Sequence, residues 1–112
     1  MMEAGRELDA LAEKVMEWHK KFVADVSGGD WYWVDKTGKL QHRCSYWEPF
    51  TDIATAWEVV EKLSDTYPTL TLDKVEDGWM FSIDDYARTW RAPAKTAPLA
   101  ICRAALLAME ER

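Results

Sequence analysis

The sequence has no glycine-rich phosphate loop, no Gly-x-Ser-x-Gly elbow and no His-Glu-x-x-His pair. The commonest routes to nucleotide hydrolysis, acyl transfer and zinc-dependent hydrolysis therefore have no motif to work with. Proline and glycine are scarce, four and five in 112 residues, so nothing reads as a linker or low-complexity segment. Together with 48% hydrophobic and 30% charged residues this predicts one globular domain spanning 1–112. A chain of this length buries roughly 65% of its unfolded surface, enough for a core without covalent staples. Cysteine is nearly absent. Cys44 and Cys102 lie far apart, and reduced thiols in a cytoplasmic setting are expected, with Cys102 acting as a small hydrophobe. There are two histidines, and only His42 has a cysteine two positions away, in Cys44. On a strand those two side chains would share a face, but no further cluster completes four ligands, so no metal and no cofactor are expected. No apolar run approaches the ~20 residues needed to cross a bilayer, and the first residues are charged rather than signal-like. Nor is there a basic excess: the net charge of −6 argues against general nucleic-acid binding.

What the sequence does have is tryptophan, seven in all. Such an excess implies a heavy core, or a core plus rings left at a surface. The stretch Tyr46–Leu63 organises the rest. Two aromatics end a strand, and Pro49 pushes Glu48 away from helix. Thr51 or Asp52 then caps a helix whose core face is Trp57, Val60 and Leu63, and Tyr67-Pro68 closes it. Before this junction, Leu8, Leu11, Val15, Trp18 and Phe22 recur at helical steps, predicting one amphipathic helix over Arg6–Val26 stopped by Gly28 and Gly29. Asp30–Tyr46 reads as a hairpin turning at Asp35–Gly38. After the junction, Thr69–Val75, Trp79–Ile83 and Tyr86–Arg91 read as a meander, with Asp77-Gly78 as its first turn and Pro93 outside it. Thr96 caps a last, alanine-rich helix with Pro98 in its first turn. The expected class is α+β: a layered α/β sandwich in which three helices cover a largely antiparallel sheet of about five strands.

Three blocks carry a likeness to a known family. They are Leu11-Ala12-Glu13-Lys14-Val15-Met16 with Trp18, the helix from Thr51-Asp52-Ile53-Ala54 to Leu63, and Thr96–Leu106. Together they resemble the phage ABA-sandwich domain family, small proteins of phages and prophages. The resemblance implies a layered α/β arrangement and residence in the host bacterial cytoplasm. It assigns no catalytic residues, because its motifs are helix faces and caps. The hairpin Asp30–Tyr46 is longer and richer in tryptophan than the family pattern, which makes it the place to look for a function particular to this chain.

The charge pattern suggests what that function is. Between Tyr86 and Leu107 every charged residue is positive, namely Arg88, Arg91, Lys95 and Arg103, and Lys36, Lys39 and Arg43 make the first hairpin basic. Guanidinium takes phosphate and an aromatic ring stacks on a base. Arg43, Trp47, Arg88, Trp90, Arg91 and Lys95 are accordingly the candidate ligand residues of a non-enzymatic binder, one that sequesters a nucleotide or similar anion and so counters host defence. The bland alternative pairs these cations with acids across the sheet. A second functional class is a protein–protein inhibitor or adaptor acting on a host protein through exposed aromatics. A third is a homodimeric accessory protein that buries its surplus tryptophan between subunits.

Overall fold

The computed structural model describes residues 3–110, and the chain divides into two compact units after Trp47. The first unit begins with helix α1 (Glu3–Ala10), which widens into a π-helical turn over Leu11–Val15. There the Met16 N–H donates to the Leu11 carbonyl at 3.1 Å. Glu17 then takes a left-handed conformation, φ 63°. Three antiparallel strands follow in the order β1-β2-β3: β1 (His19–Val23), β2 (Asp30–Val34) and β3 (Leu40–Arg43). A short 3-10 turn, Cys44–Tyr46, closes the unit, so the return strand is shorter than expected.

The single helix expected over Arg6–Val26 is therefore corrected. Its apolar spacing holds as far as Trp18, but His19–Val23 is a strand, because its five residues pair in register with β2. Phe22 meets Trp31 there, ring centroids 5.4 Å apart and inclined at 66°. Leaving the helix puts Glu17 in a conformation that costs a non-glycine residue about 1–2 kcal/mol, which the strand pairing offsets. Gly28 and Gly29 end a strand connection and not a helix. Gly29 has φ +122°, and a Cβ there would stand 2.5 Å from the Val23 carbonyl oxygen.

The core of this unit is Leu11, Ala12, Val15, Met16, Trp18, Trp33, Val34 and Trp47. Trp47 lies edge-on to both Trp18 (5.0 Å, 61°) and Trp33 (6.3 Å, 69°). In the β2–β3 turn, the Asp35 carboxylate accepts from the Thr37 N–H, the Thr37 hydroxyl, the Lys39 N–H and the Gln41 amide. Those bonds, the Thr37 hydroxyl's first, hold its pKa down to about 2.

The second unit opens with Asp52 capping helix α2 (Ile53–Leu63): its carboxylate accepts from the Thr55 N–H at 2.9 Å. A meander β4-β5-β6 follows, β4 (Thr69–Val75), β5 (Gly78–Asp84) and β6 (Thr89–Ala94), and then helix α3 (Ala97–Glu110). Thr96 caps α3 by accepting from the Leu99 N–H. α3 lies against β5, β6 and α2. One face of this sheet carries Phe81, Ile83, Trp90 and Ala92, all buried.

Three expectations change here. The sheet of about five strands is two separate sheets of three. The last strand begins at Thr89 and contains Pro93, which an edge strand tolerates because among the described residues no strand pairs with its outer side. Trp57 is not a core residue: it is 46% exposed, and Val59 takes its place beside Ala56, Val60 and Leu63. On α3 the fully buried positions are Ala100, Ile101, Cys102, Ala104, Ala105 and Ala108, so the alanines are the contact face and Leu99, Leu106 and Met109 flank it. Small side chains allow the close approach. The Cys102 thiol points at the Pro49 carbonyl oxygen, 3.3 Å away, and burial pushes its pKa up to about 12.

Candidate binding site

The six candidate ligand residues divide between the units, Arg43 and Trp47 in the first and Arg88, Trp90, Arg91 and Lys95 in the second. In the first, Arg43 pairs with Tyr32 across β2 and β3. Its guanidinium lies 5.8 Å from the Tyr32 ring centroid and 5.1 Å from that of Tyr46. It also stands 3.5 Å from the Asp30 carboxylate. Tyr32 and Trp33 are neighbours on a strand and so point to opposite faces. Arg43 thus sits on one face of the sheet and Trp47, packed on Trp33, on the other. At 1% exposure Trp47 has no ring face left for a ligand.

In the second unit Arg88 lies over the Trp90 ring at 4.8 Å, and Tyr67 meets the same ring edge-on at 5.8 Å. Trp90 is 3% exposed and belongs to the core. Arg91 follows it on β6 and points to the opposite face, in register with Ser82, while Lys95 lies just past the strand. Both are exposed. The two tryptophans are thereby corrected from ligand residues to core residues. The sheet had the larger apolar demand, and the most extensive rings filled it.

What the alternation did not reveal is a depression in the first unit, about 410 Å³, lined by Lys20, Asp30, Trp31, Cys44 and Ser45. That volume lies within the range of small-molecule sites. Trp31 and Trp33 share a face of β2, but the inner ring is 1% exposed and the outer one 50%. Lys20 is opposite Trp33 in register, with its ammonium 5.4 Å from that ring and 3.4 Å from Asp9. Asp30 accepts from the Trp31 N–H at 2.8 Å, and Arg43 neutralises it from the side. Burial pushes the Cys44 thiol up, with nearby Lys20 opposing, so the thiol stays neutral near pH 7. A half-exposed indole, an ammonium, a hydroxyl and a carboxylate are the groups that hold a flat polar ring carrying an anionic substituent. The one sequence signal for this site was the Trp31/Trp33 alternation. Reading residues 19–23 as helix hid Lys20, which supplies the cation. Among the described residues no group of three or more His, Cys, Asp or Glu is placed to hold a metal ion, and no helix is long and apolar enough to cross a membrane.

The model of the phage ABA sandwich domain matches residues 9–106. The chain belongs to the phage ABA sandwich domain family. Among solved structures it is similar to a phage protein from Bacillus cereus ATCC 14579, determined by crystallography at 2.0 Å. The two share 21% identity over 93% of this chain and 84% of that one, with a TM-score of 0.64. A likeness at that identity shows that the two chains share a fold. No curated protein matches the chain. All three blocks that carried the resemblance lie within the matched residues, and so do the residues that line the depression.

Proposed function

We propose that this phage ABA sandwich protein is a non-enzymatic binder of a nucleotide-like ligand, acting against host defence by sequestration. Its ring-stacking residue is Trp31, in place of Trp47 and Trp90. The observation that supports this is the half-exposed Trp31 indole beside the Lys20 ammonium in one depression. In this reading the base stacks on Trp31, Asp30 accepts from an exocyclic amine, and Lys20 and Ser45 contact the phosphate. Arg43 contributes by balancing Asp30, so that the carboxylate does not repel the anion.

Calorimetry against cyclic and linear nucleotides tests this. Stacking on an aromatic side chain is worth about 1–3 kcal/mol per base, so Trp31→Ala weakens binding roughly 5- to 150-fold. Lys20→Ala weakens phosphorylated ligands and leaves the nucleoside unchanged. Absence of heat with every nucleotide in the panel removes the proposal.

A further inference from the structure

The depression takes up only one side of the β1–β2 hairpin. The other open feature of this unit is the outer edge of β1. Among the described residues the strand pairs only with β2, and its first four residues, His19, Lys20, Lys21 and Phe22, are exposed one after another. Strands with one buried face alternate in exposure, and this one does not. An uncovered edge presents a row of backbone donors and acceptors ready to pair with another strand.

The charge on the edge decides what pairs with it. Residues 19–23 hold two lysines and a histidine and no acid, in a chain whose net charge is −6. Lys20 is held near Asp9, whereas Lys21 has no ion-pair partner among the described residues. A second copy of the same strand is disfavoured. An antiparallel pairing centred on Lys21 sets it against itself, and one centred between Lys20 and Lys21 sets those two against each other. Like charges directly opposite destabilise a ladder. The same lysines attract an acidic strand. Phe22 and Trp31, 48% and 50% exposed and packed edge-on, add an apolar anchor next to the charges. The other edges lack this combination. β3 is half-buried at three of its four positions, β6 contains Pro93, and β4 carries Asp73 beside Lys74.

We propose that the edge of β1 accepts an extended acidic segment of another protein as a fourth strand. Acids on that segment lie against Lys20 and Lys21, and an apolar residue lies against Phe22 and Trp31. Backbone pairing supplies affinity and the alternate side chains supply selectivity. Lys20 and Trp31 are shared with the depression and Phe22 packs on Trp31, but Lys21 does not line it, so substitution of Lys21 tests this surface separately from the nucleotide site.

The experiment uses the full chain and ten-residue peptides of acid–acid–apolar pattern, their basic counterparts and a neutral set. Anisotropy measures binding, and amide chemical shifts map it. The acidic peptides bind, their shifts concentrate on residues 19–23, and added salt weakens them. Lys21→Glu lowers acidic-peptide affinity at least tenfold, allows the basic counterpart to bind and leaves nucleotide heats as they were. Phe22→Ser weakens the acidic peptides without admitting the basic ones. Circular dichroism confirms that both variants fold. The proposal is overturned if no peptide binds, if Lys21→Glu binds acidic peptides undiminished, or if the shifts fall outside β1. It is also overturned if light scattering shows the chain self-associating through this edge.

Discussion

Replacing Trp31 and Trp47 by alanine, one at a time, separates the ring that binds from the ring that folds. A tryptophan side chain presents up to about 250 Å². Trp47 is 1% exposed, so nearly all of that area is removed from water, and at about 25 cal/mol per Å² the transfer term approaches 6 kcal/mol. The extended-chain reference overstates burial by roughly 10–40%, and alanine keeps part of the contact, which brings the expected cost to about 3–5 kcal/mol. Trp31 is 50% exposed, and the same arithmetic gives about 1.5–2.5 kcal/mol. Urea unfolding followed by far-UV circular dichroism measures both, because indole fluorescence averages over all seven tryptophans. Nucleotide calorimetry on the same preparations completes the comparison. Trp47→Ala loses stability and, where still folded, keeps ligand affinity. Trp31→Ala stays folded and loses affinity. Equal destabilisation by the two substitutions, or affinity lost only in Trp47→Ala, refutes the assignment of roles.

Three further outcomes follow from particular groups. Asp35 has its pKa lowered to about 2 by bonds in the folded turn, so its contribution is present above the unfolded value of 3.8 and is lost as pH falls from about 4 towards 2. The urea midpoint of the wild type should fall across that window more steeply than that of Asp35→Asn, and parallel curves would count against the turn network. Gly29→Ala meets the Val23 carbonyl oxygen and the Phe22 ring at a positive φ, and should cost about 2 kcal/mol or more, with amide exchange accelerated over residues 19–34. The Tyr67 hydroxyl is buried with no hydrogen-bond partner among the described residues, so Tyr67→Phe should change stability by less than about 1 kcal/mol or raise it. A loss above that in urea unfolding would mean the hydroxyl is satisfied.

The second unit was largely legible in the sequence because its signals are local. Asp52 and Thr96 cap helices where capping residues are expected, Asp77-Gly78 turns a hairpin, and Pro98 stands in a first turn. Trp57 escaped because Trp57 and Val59 stand on opposite margins of the face carried by Ala56, Val60 and Leu63, and helical spacing alone does not say which margin is buried. Strand β6 was misplaced by three residues because Pro93 looked like an end. Proline is excluded from a strand only where its nitrogen would have to donate, and the outer side of an edge strand makes no such demand. Of the candidate site only the Trp31/Trp33 alternation was legible: none of the six residues expected to bind a ligand lines the depression, and the alternation does not say which rings remain outside. That choice depends on long-range packing, which one-dimensional spacing does not record.

Residues 17–26 show the same limit most clearly. Trp18 and Phe22 are four apart, which continues a helical stripe, and Trp18 is buried while Phe22 is 48% exposed. A continuous helix would carry both on its core face. The chain instead turns at Glu17, sending Trp18 into the Trp33–Trp47 cluster and freeing His19–Val23 to pair with β2. One left-handed residue thus creates the features on which both proposals depend. It brings Lys20 alongside the tryptophan-bearing strand, and it leaves a basic edge open. Had the helix continued, Lys20 would not stand opposite Trp33, nor Phe22 opposite Trp31, and the surplus tryptophan would have no exposed member beside a cation. Helical carbon chemical shifts across 19–23 in solution would therefore remove the nucleotide site and the edge-strand partner together, whereas extended shifts with cross-strand contacts from Phe22 to Trp31 support the geometry that both require.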